Sequence, residues 1–321
     1  MKKVLVTGAS GFVGQALCKE LVSRGYDVLG AVRSASQVRF LKGVSVGLVG
    51  DIGPDTEWAG VLSGVETIFH LATWTPLADE PAPKNPAKDF FRVNVEGTRR
   101  LALSAVTAGV QRFVFASSVM VYGEAQRASP INDSILPSPS EPYGKSKLEA
   151  ERVLAELSSN SGLETVIVRI PLVYGPSTRG QLLRLMRVCS WPFPLPFANV
   201  QNQRSMIYVG NLVDALILCS NHPRAAGQIF LVRDNEDVSS PKLIAQLRKA
   251  LGRSTLLFPV PECFLRPFRY FVRRYLSIAI SPDSFVVDDS RIRQELGWHT
   301  PFSLNEALEE TAAWYRSEYI M

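Results

Sequence analysis

The 321-residue chain is poor in the residues that build metal and disulfide sites: it has three histidines and four cysteines. Cys18, Cys189, Cys219 and Cys263 form no CxxC pair and lie apart from the histidines in sequence. That pattern excludes the usual structural-zinc and disulfide-scaffold classes and fits a reducing, cytoplasmic setting. No apolar run reaches the ~20 residues a membrane helix needs, and the first residues read as a strand rather than a signal peptide. Internal repeats, low-complexity tracts and basic stripes are also missing. The net charge of +5 is dispersed, which suits small anionic ligands and argues against a nucleic-acid partner. What remains, 46% hydrophobic and 20% charged, is ordinary for a globular enzyme.

The most informative stretch is MKKVLVTGASGFVG, residues 1–14. Val4, Leu5 and Val6 form a short apolar run of the kind buried on both faces of a parallel sheet. Thr7 to Gly14 follows at once, and Gln15 to Arg24 continues with apolar residues at helical spacing. Gly8 permits a tight strand-to-helix turn, Gly11 a close backbone approach to a pyrophosphate, and Gly14 the packing of helix on sheet. Ser10, Phe12 and Val13 complete the loop. Such a loop after a strand and before a helix predicts nucleotide binding.

Further strands are expected at Tyr26–Val32, Val44–Val49, Thr67–Leu71, Gln111–Ala116 and Thr165–Ile170. Helices fall between them, among them Asp89–Ala108 and Tyr143–Leu157. Alternation of this kind predicts an α/β fold, a Rossmann-like doubly wound parallel sheet. After Pro171 and Pro176 the segments shorten, with helices near Asn211–Ser220, Ser240–Leu251 and Leu304–Tyr315. Residues 1–175 are therefore read as a nucleotide-binding domain. Residues 176–321 are read mainly as a smaller substrate-binding lobe that returns some segments to the sheet. Pro76–Pro86 reads as a mobile loop.

About 20 residues beyond the glycine loop, an acid usually marks NAD and an arginine accommodates the 2′-phosphate of NADP. This chain has Val32-Arg33-Ser34 there, so NADP(H) is favoured, with NAD(H) the alternative. Asp51 and Ile52 are placed beside the adenine, and Leu71, Ala72 and Thr73 beneath the cofactor.

Tyr143 and Lys147 stand four apart, on one face of a helix. Ser118 closes a strand at the carboxyl edge of the sheet, where open α/β sheets bind ligands. An ammonium about 4 Å from the phenol, at an effective dielectric of about 20, would contribute on the order of 4 kcal/mol and lower its pKa by up to about three units. Tyr143 is thus expected to exchange a proton at the substrate oxygen, Ser118 to hydrogen-bond that oxygen, and Lys147 to hold the cofactor ribose and lower the Tyr143 pKa.

With these motifs the chain resembles the extended short-chain dehydrogenase/reductases, and within them the NAD-dependent epimerase/dehydratase family acting on nucleotide sugars. The resemblance runs through Thr7–Gly14, HLAT at His70–Thr73, VNVEGT at Val93–Thr98 and SSVMVYG at Ser117–Gly123. It continues through YGKSK at Tyr143–Lys147, RIPLVYGP at Arg169–Pro176, RSMIYVGNLVDAL at Arg204–Leu216 and SRIRQELGW at Ser290–Trp298. It implies that Arg204 and Gln181 meet a substrate diphosphate, that Tyr208 and Asp214 lie near that pocket, and that the protein is a homodimer. Two activities are implied: NADPH-dependent reduction of a nucleotide 4-keto sugar (UDP-2-acetamido-2,6-dideoxy-4-hexulose type) in surface-polysaccharide synthesis, or 4-epimerisation of a UDP-hexose or UDP-N-acetylhexosamine with tightly held NAD. The first is the expectation, because Arg33 replaces the acid. A binding protein that kept the fold and lost turnover is the non-enzyme alternative. Residues 259–280 interleave Arg266, Arg269, Arg273 and Arg274 with aromatics and read as a lid rather than a membrane-surface helix.

Overall fold

The computed structural model describes residues 1–36, 42–74, 85–123, 129–260 and 283–320. The first apolar run forms β1 (Lys3–Thr7), its last four residues buried, and leads through the glycine turn into α1 (Phe12–Ser23). β2 (Asp27–Val32), β3 (Ser45–Leu48), α2 (Ala59–Leu62) and β4 (Thr67–His70) follow. Then come α3 (Pro86–Phe90), a π-helical turn (Phe91–Glu96) and α4 (Gly97–Thr107). β5 (Arg112–Ser118) runs into a 3-10 turn (Val119–Tyr122), followed by α5 (Pro142–Ser159) and β6 (Glu164–Ile170).

The remaining elements are β7 (Leu172–Tyr174), α6 (Gly180–Cys189), β8 (Met206–Tyr208), α7 (Val209–Asn221) and β9 (Ile229–Leu231). α8 (Ser240–Ala250), α9 (Ser290–Leu296) and α10 (Leu304–Tyr319) complete the set. The stretch 76–84 of the proline-rich loop and residues 261–280 of the arginine–aromatic segment lie outside the described residues.

Seven strands pair in parallel in the order β3-β2-β1-β4-β5-β6-β9, and β7 pairs with β8 in a separate small sheet. This is the expected Rossmann-like architecture. Strand order reverses between β1 and β4, so a crevice opens at their carboxyl ends. The strands are apolar on both faces because both faces are covered. One face packs on α1, α7 and α9 through Val6, Leu17, Leu216 and Trp298, and the other on α2, α4 and α5 through Leu5, Ile68, Leu101 and Leu154. A second core joins α6, α8 and α10 around Tyr174, Met206 and Tyr208.

Two differences from the sequence reading bear on the site. β5 extends through Ser117 and Ser118, which stay paired with Arg169 and Ile170 of β6. The expected single helix Asp89–Ala108 is interrupted by the π-helical turn, whose widened geometry directs Asn94 inward, where it is 2% exposed.

Gly8 turns the chain at φ +68°, and a Cβ there would lie 2.9 Å from the Ala72 amide nitrogen. Only glycine lets the β1 and β4 loops approach this closely. Gly109 has a similar φ of +74° but open space around it. Gly109→Ala should therefore cost about 1 kcal/mol from backbone conformation alone. Gly8→Ala should cost more, and paired urea unfolding curves of the two variants measure the difference.

Candidate active site

The site is built where β1, β4 and β5 end. α1 carries no side-chain cap at Gly11, so its first-turn N–H groups are free to face an anion at the crevice. Gly11 N–H donates to Gly8 O (2.9 Å), closing the turn, and Gln15 holds Ser10 O at 2.8 Å. Phe12 and Val13 pack towards the second core, which joins the glycine loop to the C-terminal lobe. The loop after β4 is tied back to β1 by Ala72 N–H donating to Thr7 Oγ1 (3.2 Å).

A buried hydrogen-bond chain fixes these strand ends. Thr98 Oγ1 donates to Asn94 O (2.7 Å), so it accepts from His70 Nε2–H (2.9 Å). His70 Nδ1 is thereby the acceptor for the Thr7 hydroxyl at 2.7 Å. Burial, with the Lys147 charge nearby, pushes the imidazole down to about 3, so it is neutral at working pH. Asn94 is the second hub. Its Oδ1 accepts from Trp74 N–H (2.8 Å) and Thr73 Oγ1 (3.1 Å), and its Nδ2 donates to Ser146 Oγ (3.1 Å). Ser146 in turn donates to Tyr143 O at 2.8 Å. One amide therefore links the loop after β4 to the first turn of α5.

The structure brings Ser118, Tyr143 and Thr73 together. The Tyr143 phenol faces the hydroxyls of Ser118 and Thr73, and Ser118 Oγ accepts Met120 N–H (3.2 Å). Gly144 makes this approach possible, since a Cβ there would lie 2.3 Å from Met120 O. Phe90 packs on Tyr143 (ring centroids 5.8 Å apart) and meets Trp74 edge to face at 4.7 Å. Lys147 is 2% exposed; its Nζ donates to Ala116 O (2.8 Å) and lies 4.7 Å from the Phe115 ring centre.

The expected electrostatics of Tyr143 and Lys147 need correction. Burial pushes the Tyr143 phenol up to about 12, and its hydrogen bonds with Ser118 and Thr73 only partly oppose it. Burial pushes the Lys147 ammonium down to about 7 against the pull of Glu151. Desolvation therefore dominates at the phenol, which stays protonated.

Other expected site residues are spread more widely. Arg33 and Asp51 meet at the outer edge as an exposed ion pair, 3.7 Å apart, and Ile52 packs against the core beneath α4. Gln181 lies in the first turn of α6. Arg204 pairs through its backbone with Val238 and donates from Nη1 to Asp283 O (3.1 Å). Tyr208 does not present its side chain to substrate as expected. It is 3% exposed, its phenol donates to Glu310 and its ring meets Phe302 edge to face. Asp214 is likewise placed elsewhere, accepting from Arg24 (2.9 Å) and Trp298 Nε1 (3.2 Å) on the α1–α7 side.

Sequence reasoning missed Asn94, His70, Thr98, Glu151 and Arg169. A polar asparagine between Val93 and Val95, just before Gly97 in a helical pattern, was the available signal for the first. Among the described residues no group of His, Cys, Asp and Glu is arranged to hold a metal ion, and no helix is long and apolar enough to cross a membrane. Cys18, Cys189 and Cys219 are buried and free, with thiols pushed up to about 12 by burial.

A parallel sheet with this strand order, a glycine loop at its switch point and a Ser–Tyr–Lys set on β5 and α5 together define the extended short-chain dehydrogenase/reductase class. Residues 4–232 match the NAD dependent epimerase/dehydratase family, and the chain belongs to that family. It is 36% identical over 314 residues to a UDP-glucose 4-epimerase of Vibrio cholerae, covering 97% of this chain and 94% of that one. Among solved structures it is similar to UDP-glucuronic acid 4-epimerase from Bacillus cereus in complex with NAD (TM-score 0.79, 22% identity, 99% of each chain). It is also similar to MoeE5 in complex with UDP-glucose and NAD (TM-score 0.76, 27% identity, 98% of this chain and 99% of that one).

The neutral His70 has a consequence for stability. Its folded pKa lies below the unfolded value near 6.5, so below pH 6.5 the unfolded chain binds the extra proton. The stabilisation is present above pH 6.5 and is lost as pH falls towards 3, at up to about 1.4 kcal/mol per unit. His70→Gln should flatten that part of the stability–pH curve, measured by urea unfolding between pH 7 and pH 5.

Proposed function

We propose that this chain is a nucleotide-sugar 4-epimerase that retains NAD and inverts C4 of a UDP-sugar. The observation that carries the reading is the convergence of the Ser118 and Tyr143 hydroxyls at the carboxyl edge of the sheet. The similarity to a UDP-glucose 4-epimerase along nearly the whole chain supports it.

The residues present fit the cofactor. The uncapped α1 terminus and the Gly8 cradle suit a pyrophosphate, with Ser10, Gly11, Phe12, Val13 and Gly14 around it. Leu71, Ala72 and Thr73 would pass beneath the nicotinamide side, Arg33, Asp51 and Ile52 would border the adenosine, and Lys147 would hold the ribose. A bound nicotinamide supplies a hydride acceptor and, when oxidised, a positive charge. Tyr143 would take the proton of the C4 hydroxyl as the C4 hydride leaves to that acceptor, and would return it to the same oxygen once the 4-keto sugar has turned and the hydride has come back to the opposite face of C4. Ser118 hydrogen-bonds the C4 oxygen throughout and keeps it in register with the phenol. In this reading residues 1–175 bind the cofactor. Residues 176–321 mainly bind the nucleotide, with Arg204 and Gln181 on its diphosphate, a pairing that suits a planar guanidinium.

Arg33 favours a second reading, NADPH-dependent reduction of a nucleotide 4-keto sugar. No acid ends β2, and Arg33 follows it, a guanidinium that suits a 2′-phosphate. Against this, Asp51 faces Arg33 and leaves a carboxylate at the same edge. Exposed Phe91, Leu103 and Val106, from the π-helical turn and α4, support association with a second copy of the chain, which light scattering would read as twice the monomer mass.

Two experiments test the function. Denaturing the purified protein should release about one equivalent of NAD, and incubation with UDP-glucose or UDP-N-acetylglucosamine should give the C4 epimer with no net redox change. An empty protein that consumes NADPH with a 4-keto sugar nucleotide, and whose Arg33→Ala variant loses NADPH affinity more than NADH affinity, would replace the epimerase by the reductase. In either case Tyr143→Phe should lower kcat by about 10²–10⁴ with little change in substrate KM.

A further inference from the structure

The turn of α5 beyond Lys147 carries a carboxylate that the chemistry above does not use. Glu151 is 3% exposed and lies on the same helical face as Lys147. Both of its oxygens are engaged. Arg169 donates Nε to Oε1 (3.1 Å) and Nη2 to Oε2 (2.6 Å), and the Ser117 hydroxyl also donates to Oε1. Arg169 is 4% exposed and gives its remaining Nη1 to the Tyr122 phenol at 2.6 Å. A forked guanidinium–carboxylate pair of this kind fixes the carboxylate in position.

An ion pair that merely joined α5 to β6 would need only Arg169 and Glu151. Two features exceed that need. The first is connectivity: Lys147 holds the carbonyl of Ala116, Glu151 holds the hydroxyl of Ser117, and Ser118 is the next residue of the same strand. The second is charge. Facing Lys147 are the Ala116 carbonyl and the Phe115 ring from β5, the neutral His70 imidazole from β4, Tyr143 one turn earlier on α5, and Glu151. Arg169 on β6 and Tyr122 on the 3-10 turn stand behind the carboxylate. Among these groups Glu151 is the anion.

We propose that Glu151 is a positioning residue that keeps Lys147 in its ammonium form and holds the Ser117–Ser118 strand end against Tyr143, with Arg169 locking the carboxylate in place. The inference rests on the roles given above to Lys147 and Tyr143. Its first test needs no sugar substrate, so failure of the epimerase reading and failure of this proposal are separable.

Full-length protein labelled with ¹³C at lysine Cε is titrated by NMR, with Lys147 assigned from the signal lost in Lys147→Arg. Burial lowers Lys147 and Glu151 opposes it, giving a midpoint near 7 in the parent protein. Glu151→Gln removes the opposing charge and should move the midpoint down by about one unit, whereas Glu151→Asp, which keeps the charge, should leave it near the parent value. Glu151→Gln leaves Arg169 buried without its counter-charge. If that variant does not fold, the Glu151→Gln/Arg169→Met double variant removes both charges and should still move the midpoint down, though by less than Glu151→Gln because loss of the Arg169 charge partly offsets it. A folded variant of either kind with the parent midpoint overturns the proposal. With turnover established, Glu151→Gln should lose kcat about tenfold on the alkaline side at unchanged KM and recover as pH is lowered. A merely structural defect would lower activity equally across the pH range.

Discussion

Thr7, His70, Thr98 and the backbone of Asn94 form one hydrogen-bonded chain through the dry centre of the sheet's carboxyl edge. Water cannot repair a break there, so each donor has to find its acceptor among these side chains. The chain crosses from β1 to β4 and on to the π-helical turn, the three places whose loops form the crevice. Asn94 extends the same logic to α5 by joining Thr73 and Trp74 to Ser146. The glycine loop and α5 are thus registered to one another through polar contacts that an apolar core could not supply. An imidazole suits the central position because, kept neutral, it donates at one nitrogen and accepts at the other.

Much of this fold was legible in the sequence because its signals are local. The glycine loop follows an apolar run directly, and the alternation of strands and helices fixes a doubly wound sheet almost by itself. Ser118, Tyr143 and Lys147 were also recoverable, since strand end and helix start each have their own sequence pattern. The π-helical turn was not, because Phe91–Glu96 keeps a helical hydrophobic period and only Asn94 and Gly97 disturb it. Nor were the partners of Glu151, since Ser117 and Arg169 come from other elements of the chain. Tyr208 shows the opposite error: its motif placed it near a pocket, whereas the second core takes its ring and Glu310 takes its phenol.

The correction at Tyr143 has a physical lesson. Coulomb's law applied to helical spacing counts the attraction between ammonium and phenolate but omits the cost of removing each from water. Here that cost dominates, holding the phenol high and the amine low. Burial thus disfavours charge on both groups, and Glu151 is the counter-charge that opposes this at Lys147.

The seventh strand of the sheet, β9, comes from residues 229–231, and the core beneath one face is completed by Leu216 and Trp298. The sheet is therefore completed by residues that follow the apparent boundary near residue 175. During synthesis the ribosome has delivered β1 to β6 long before it delivers the residues that cover them. Recombination at that boundary would separate the sheet from its own edge strand and lining.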